Sequence, residues 1–188
     1  MIVDVQNDFT EGGALGVGGG AQVAKDVSAY LASRADDYDL VLASRDWHDA
    51  DNDNGGHFAV DGVPNFVDTW PVHCVAGTAG AEYHPDLDTS QVDIHIKKGQ
   101  GEPSYSMFEG VSDDGQTVAE ILREHGITEV DVVGIATDHC VRASALDALG
   151  AGQKVTVLTD LIAAVAPDTG EKALEELVSR GAALQTSS

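Results

Sequence analysis

Cys140 is the side chain of this sequence that is best placed to act as a nucleophile. It follows residues 130–135, an apolar, β-branched stretch that predicts a buried strand, and it begins a stretch of helical periodicity that we expect to stop at Gly150. Backbone N–H groups in the first turn of a helix stabilise a thiolate and suit the oxyanion of an attacked carbonyl. Thr137 and Asp138 are both good N-caps for that helix. A buried cysteine is also commonly structural, so whether Cys140 is a nucleophile depends on which side chains surround it.

Polar side chains stand at the ends of the other predicted strands. Asp4 ends the first, Asp46 and His48 follow the second, and Lys98 follows the third. The carboxyl ends of parallel strands meet at one edge of a sheet, which is where ligands bind. A carboxylate, an ammonium and a thiol brought together there would make a nucleophile with its base and a cationic partner.

A second chemistry is suggested by Asp46-x-His48 with His73 further along the chain. One oxygen and two nitrogen ligands leave open positions for water or substrate, as in catalytic sites for Zn, Fe or Mn. The alternative is that histidines of an irregular loop do nothing, and we prefer that interpretation for His84 and His125. Loop ligands have no fixed period, so spacing leaves the metal question open.

Strands that alternate with helices predict a single α/β domain over residues 1–188, with a parallel, doubly wound sheet of about six strands and helices on both faces. The expected strands are residues 1–5, 40–44, 94–97, 130–135, 154–158 and 182–185. A first helix follows the glycine-rich loop 10–20. Two further helices begin at the capping patterns Thr117-x-x-Glu120 and Asp168-x-x-Glu171, and Gly181 ends the last one.

Two irregular regions and one glycine pattern need separate interpretation. Residues 45–93 have few periodic segments and residues 100–114 predict a lid, and long loops of this kind are usually functional. Residues 16–21 match G-x-G-x-x-A, but a dinucleotide fingerprint needs its first glycine directly after a strand. The intervening residues 6–15 argue against a dinucleotide site.

The composition narrows the choice of partners. Asp and Glu total 32 against 10 Lys and Arg, a formal net charge of −22, which repels nucleic acids and anionic membranes. No apolar run approaches membrane-spanning length and no secretory signal is recognisable. The two cysteines cannot form a disulfide framework, which favours the cytoplasm. The acids are spread along the chain, as in proteins of salt-loaded cells. A small molecule is the expected partner, and a homo-oligomer is compatible with the sequence.

Five segments together resemble the nicotinamidases, also called pyrazinamidases, of the isochorismatase-like cysteine hydrolases. They are IVDVQNDF (2–9), RDWH (45–48), WPVHCVAGT (70–78), KG (98–99) and GIATDHCV (134–141). They occur in the family's order and cover nearly the whole chain. The Asp, Lys and Cys motifs are common to the superfamily, whereas Asp-x-His with Trp-Pro-x-His is typical of nicotinamidases.

The resemblance implies roles for individual residues. It implies a catalytic triad of Asp4, Lys98 and Cys140, and a divalent metal ion (Zn, Fe or Mn) bound by Asp46, His48 and His73. In some members a residue matching His57 is a fourth ligand. Residues implied around the substrate are Phe9 and Trp70 flanking the ring, with Tyr105, Ile135 and His139 nearby. The oxyanion hole would use the N–H groups of Ala136 and Cys140, beside a cis peptide between Ile135 and Ala136.

The implied reaction is hydrolysis of nicotinamide to nicotinate and ammonia through a Cys140 thioester, a step of NAD salvage, with pyrazinamide as an additional substrate. One rival is another amidohydrolase of the superfamily that acts on a different small amide. The other is a module that binds metal or nicotinamide without turnover.

Overall fold

One seven-stranded sheet organises the molecule, whose computed structural model describes residues 1–59 and 62–188. The described strands are β1 (Ile2–Val3), β2 (Leu42–Asp46), β3 (Ile94–Lys98), β4 (Val111–Ser112), β5 (Glu129–Ile135), β6 (Lys154–Ala163) and β7 (Ala183–Gln185). Their order is β4-β3-β2-β1-β5-β6-β7, and every described pair is parallel except β3 with β4. The predicted parallel α/β sheet is therefore confirmed, with β4 as an additional strand inside the segment expected to be a lid.

Within residues 1–59 and 62–188, four α-helices cover the two faces of the sheet. They are α1 (Gly20–Arg34), α2 (Val118–Glu124), α3 (Arg142–Gly150) and α4 (Pro167–Ser179). The apolar side of α1, with Val23, Val27 and Leu31, packs in one buried cluster, and the apolar sides of the other three helices pack in a second. The sheet is covered on both faces, as the doubly wound interpretation requires.

Strand bounds differ from the sequence expectation where the chain turns toward the edge of the sheet. β1 ends at Val3 because Asp4 adopts a positive φ of 47°, which turns the backbone out of the strand. β2 lies two residues later than expected and includes Asp46 itself, and β6 continues to Ala163 past a register shift against β5. These differences reflect local backbone turns that an apolar pattern does not encode.

The helix termini confirm some capping predictions and correct others. Thr117 and Glu120 form the predicted capping box of α2, and Gly181 follows α4 with a φ of 105°. The prediction that Asp168 caps α4 is wrong, because the N-cap is Ala166 and no side chain of the described residues caps it in the usual way. α3 ends at Gly150, as predicted.

None of the helices in the described part of the chain has both the length and the apolar character needed to span a membrane.

Candidate active site

The carboxyl ends of β1, β2, β3 and β5 bring together the side chains that the sequence placed at strand ends. β1 lies at the centre of the sheet, and the chain proceeds outward from it through β2 on one side and from β5 through β6 on the other. This is a topological switch point, where open α/β sheets form a ligand crevice. Asp4 and Cys140 follow the two strands that flank the switch point, and Asp46 and Lys98 end the next two strands.

Lys98 is the centre of a buried charged cluster. Its Nζ lies 2.8 Å from Asp4 Oδ2, makes a short ion pair with Asp46 Oδ1 and lies 3.8 Å from Cys140 Sγ. The side chains of Asp4 and Lys98 are 0% exposed. Burial opposes the charge of Lys98, but the two carboxylates outweigh it and hold the pKa of the ammonium well above its usual value.

The two carboxylates that contact Lys98 differ in their tendency to hold a proton. Burial raises the pKa of Asp4 despite the opposing charge of Lys98 and a 2.7 Å hydrogen bond from Ser44 Oγ. Burial also acts on Asp46, but there Lys98 and the neighbouring His48 and His73 outweigh it and lower the pKa well below its usual value. Asp4 is therefore the better proton acceptor of the pair, and Asp46 the better permanent anion.

Cys140 lies in a π-helical turn, Thr137–Val141, that precedes α3. The predicted helix thus begins with a wider turn, and no side chain of the described residues acts as the N-cap of this turn at Ala136. Burial raises the pKa of the Cys140 thiol well above its usual value, against the opposing effect of Lys98. The expectation that the helix terminus alone favours the thiolate is therefore wrong here, and the thiol needs a base.

His48, His57 and His73 place their ligand atoms within 4.8 Å of one another. His48 Nδ1 and His73 Nδ1 each donate to a backbone carbonyl, of Gly99 and Pro71, at 2.7 Å. In the neutral imidazoles this arrangement leaves the Nε2 lone pairs available to a metal. Asp46 Oδ2 lies 3.5 Å from His48 Nε2 and 3.6 Å from His73 Nε2.

Two buried nitrogens of this cluster lack hydrogen-bond partners among the described residues, namely His48 Nε2 and His57 Nδ1. Buried nitrogens normally find a partner, so two unpartnered nitrogens in a cluster whose ligand atoms lie within 4.8 Å of one another fit a metal ion there. Burial and the neighbouring histidines lower the pKa of His57 to about 4, which keeps its imidazole neutral and able to bind a metal. The donor set, three imidazoles with one carboxylate beside them, suits a divalent transition metal.

A cavity of about 460 Å³ opens beside Cys140 and the histidines. Among the residues that the resemblance implies for substrate binding, Phe9, Trp70, Tyr105 and His139 all line it. Trp70 Nε1 donates to Tyr105 Oη at 2.9 Å, and the Trp70 ring meets the His139 ring edge-on, 5.4 Å between centroids. Ala136 also lines the cavity, joined to Ile135 by a cis peptide bond.

Ile135 is the exception among the implied substrate residues. It is absent from the described lining of the cavity, and its side chain is fully buried in the core cluster that contains α1. Ile135 contributes to the site through the backbone that leads into the turn of Cys140.

Several residues of the site were not identified from the sequence. Ser44 contacts Asp4, while Leu15, Phe66, Ser104 and Val165 line the cavity. The glycine-rich loop 10–20 contributes Ala14, Leu15, Gly16 and Val17 to the wall of the cavity. Apolar residues inside irregular segments, such as Phe66 and Val165, were the signal that the sequence offered.

Comparisons with known proteins give consistent results. A family model described as the isochorismatase domain matches residues 1–188. The chain is 50% identical over 188 residues to the nicotinamidase/pyrazinamidase of Mycobacterium tuberculosis, covering 100% of this chain and 98% of that one. The crystal structure of Pyrococcus horikoshii pyrazinamidase in complex with zinc is similar, with a TM-score of 0.83, 40% identity and coverage of 98% and 96%. The PnC1 structure from L. infantum in complex with nicotinate has a TM-score of 0.81, 35% identity and coverage of 99% and 90%.

Proposed function

We propose, from the premise that the chain belongs to the isochorismatase family, that it is a nicotinamidase that hydrolyses nicotinamide to nicotinate and ammonia, and pyrazinamide in the same way. The observation that carries the proposal is the position of Cys140, which lines the same cavity as Asp46, His57 and His73. A carboxamide on a pyridine ring matches that pairing, since the amide needs a nucleophile and the ring nitrogen needs a polar partner.

Asp4 is the base and Cys140 the nucleophile in this proposal. Because burial raises the pKa of both groups, the proton stays on the thiol until substrate arrives, and Asp4 then takes it as sulfur attacks the carboxamide carbon. Lys98 remains an ammonium and compensates the charge that moves between Asp4 and Cys140. The backbone N–H groups of Ala136 and Cys140 hold the oxyanion.

Ammonia leaves when Asp4 returns the proton to the amide nitrogen and the C–N bond breaks, which gives a thioester on Cys140. Asp4 then removes a proton from water, and the resulting hydroxide attacks the thioester carbon. The C–S bond breaks, the sulfur recovers its proton from Asp4, and the nicotinic acid that is released loses its proton to solvent to give nicotinate. The pyridine ring is held, and bulk water is excluded, by Phe9, Trp70 and Tyr105, the last of which is hydrogen-bonded to Trp70.

We assign the metal to Asp46, His48, His73 and His57, since their donors converge as described above. A divalent ion held by these residues would supply a Lewis-acidic partner for the ring nitrogen and would help to orient the amide, so that its contribution would be positional. Zn, Fe and Mn all suit the donor set.

Ammonia release from nicotinamide tests the proposal directly. Nicotinamide is expected to give one ammonia and one nicotinate per turnover, while benzamide, which lacks the ring nitrogen, is expected to turn over much more slowly. Binding of nicotinamide without ammonia release would favour the binding module, and preference for another small amide would favour the other amidohydrolases.

Metal content provides a second test. We expect about one divalent ion per chain, and we expect His73→Ala to lose it. His84→Ala is the control, because His84 lies outside the donor cluster. Unchanged metal occupancy in His73→Ala would refute the assignment. His57→Ala should weaken metal affinity if His57 is a ligand, and should weaken only substrate affinity if it merely lines the cavity.

We further propose that the enzyme works in the reducing cytoplasm, since Cys74 and Cys140 are both buried thiols. A homo-oligomer stays a prediction.

A further inference from the structure

Gln6 stands beside the site, and its side chain is completely buried although it is neither charged nor apolar. Its amide makes three hydrogen bonds. Nε2 donates to the carbonyls of Asp46 at 2.9 Å and Ala81 at 2.8 Å, and Oε1 accepts from the backbone N–H of Asp46 at 2.8 Å. Gln6 thus binds both backbone polar groups of one residue, Asp46.

This pairing replaces a missing piece of the sheet. β1 pairs with β2 at Ile2 and Ala43, but the chain leaves the strand at Asp4, where φ is 47°, and the N–H of Gln6 bonds back to the Asp4 carbonyl. Turning Asp4 toward Lys98 therefore removes the backbone that would continue beside Asp46. On the other side of β2 the N–H of Trp47 donates to the Lys98 carbonyl, so the N–H and carbonyl of Asp46 point toward β1.

A primary amide has the same donor and acceptor as a peptide group. The Gln6 side chain therefore continues the β1–β2 ladder by one residue where the backbone cannot. Without it, the buried N–H and carbonyl of Asp46 would lose their partners, and a buried unpaired group costs roughly 1–3 kcal/mol unless the backbone moves to find another.

Movement of Asp46 would disturb the metal cluster. Its Oδ1 contacts Lys98, and its Oδ2 faces the Nε2 atoms of His48 and His73 at 3.5 and 3.6 Å. A ligand carboxylate must be held by supporting contacts to keep its affinity. We propose that Gln6 is a positioning residue for the metal site, which fixes the Asp46 carboxylate by imitating a strand peptide. This inference rests on the proposed metal-dependent function and deepens it.

The test measures zinc affinity instead of activity. Metal-stripped wild type and Gln6→Met, which preserves side-chain length but not the hydrogen bonds, are titrated with Zn²⁺ against a chromogenic chelator. We expect the Kd for Zn²⁺ to rise about 10–100-fold in Gln6→Met, the range found for supporting residues of metal ligands. Gln6→Glu preserves the acceptor for the Asp46 N–H but replaces the NH₂ donor with an oxygen that faces the carbonyls of Asp46 and Ala81, so a rise at least as large is expected.

Tyr38→Phe is the matched control, because it also removes a long-range hydrogen bond, from Tyr38 Oη to Asp131 Oδ2, far from the metal cluster. Its Kd for Zn²⁺ should stay within about twofold of wild type even if its melting temperature falls. Wild-type zinc affinity in either folded Gln6 variant overturns the proposal, as does equal weakening in Tyr38→Phe. Failure of both Gln6 variants to fold also overturns it, because Gln6 would then be a folding residue. Ammonia release by the wild type tests the proposed function separately.

Discussion

The buried cluster around Lys98 and the outer surface use the same residue types in opposite ways. In the cluster, Asp4 and Asp46 share one ammonium, Ser44 donates a hydrogen bond to Asp4, and His48 and His73 lie beside Asp46. On the surface, carboxylates greatly outnumber cations, and the described ion pairs with lysine or arginine involve only a minority of the 32 acids. The surface acids therefore rely on water and salt.

The comparison shows that burial decides the role of a carboxylate. A buried acid without compensation would be neutralised, so each one in the cluster has an assigned partner and a defined proton affinity. A surface acid needs no partner, but many together repel one another. Substitutions in the cluster should therefore change activity or stability strongly and at single residues. Changes at the surface should alter stability only slightly for each carboxylate, and measurably only when many carboxylates are affected together.

Removing the nucleophile should have the largest effect. Cys140→Ala should lower nicotinamide hydrolysis at least about a thousandfold, because covalent catalysis is lost, and Asp4→Asn should be comparably severe. Initial rates of ammonia release measure both. Metal content and fold should be preserved in Cys140→Ala, and a thioester should be detectable by mass spectrometry when Cys140 is present. Retention of a tenth of the activity would remove Cys140 from its role.

The next largest effect is on the free energy of unfolding, and it is seen by replacing a buried and an exposed lysine in turn. Lys98→Met leaves Asp4 and Asp46 buried without their cation, and should lower the free energy of unfolding by roughly 3–5 kcal/mol. Lys154→Met removes an exposed pair with Glu129, 2.7 Å between the charged atoms, and should change stability little. Urea denaturation of chelator-treated proteins at pH 7 gives both values. Equal losses would contradict the distinction between cluster and surface.

Asp138 tests whether a buried acid can be stabilised without the lysine that the cluster around Lys98 uses. Its side chain is 3% exposed, and it accepts hydrogen bonds from the N–H groups of Val165 and Ala166 and from Thr169 Oγ1. Burial alone would raise the pKa of Asp138, but the nearby His139 and the hydrogen bonds from Thr169 and Val165 outweigh it and lower the pKa. Asp138→Asn should therefore lower the free energy of unfolding at pH 7 by roughly 1–3 kcal/mol.

The pH dependence follows from the direction of that shift. A carboxylate with a lowered folded-state pKa adds stability above its unfolded-state pKa, about 3.9, and loses it as the pH falls further. The difference between wild type and Asp138→Asn should be full at pH 7 and should narrow below about pH 4. Asp147→Asn, at an exposed position of α3, is the control. A difference that is independent of pH would mean that packing, and not charge, holds Asp138.

Salt should have the smallest effect per carboxylate. The screening length falls from roughly 8 Å at 0.15 M to roughly 3 Å at 1 M, so molar KCl should weaken the repulsion that the net charge of −22 creates. The melting temperature should rise between 0.1 M and 2 M KCl, by about 2–4 °C for each kcal/mol of repulsion relieved. A parallel sulfate series separates screening from general salting-out. An unchanged midpoint would refute adaptation to salt without affecting the amidase proposal.

The sequence alone determined the α/β class and which strand ends carry reactive side chains. Both depend on local patterns. An apolar run predicts a strand and a capping box predicts a helix start, as the observed β5 and α2 illustrate. Once the sheet is parallel, its carboxyl ends lie at one edge, so Asp4, Lys98 and Cys140 must share that edge, whereas the strand order that brings them into contact was not readable from the chain.

Only the tertiary structure decided the proton affinities and the exact positions of those side chains. The direction of the Cys140 pKa depends on burial and on Lys98, which is 42 positions away in the sequence, and the pairing of Gln6 with Asp46 spans 40 positions. The lining by Val165 likewise depends on how β6 leads into α4. Proton affinity and position depend on neighbours in space, and a local pattern in the sequence does not contain them.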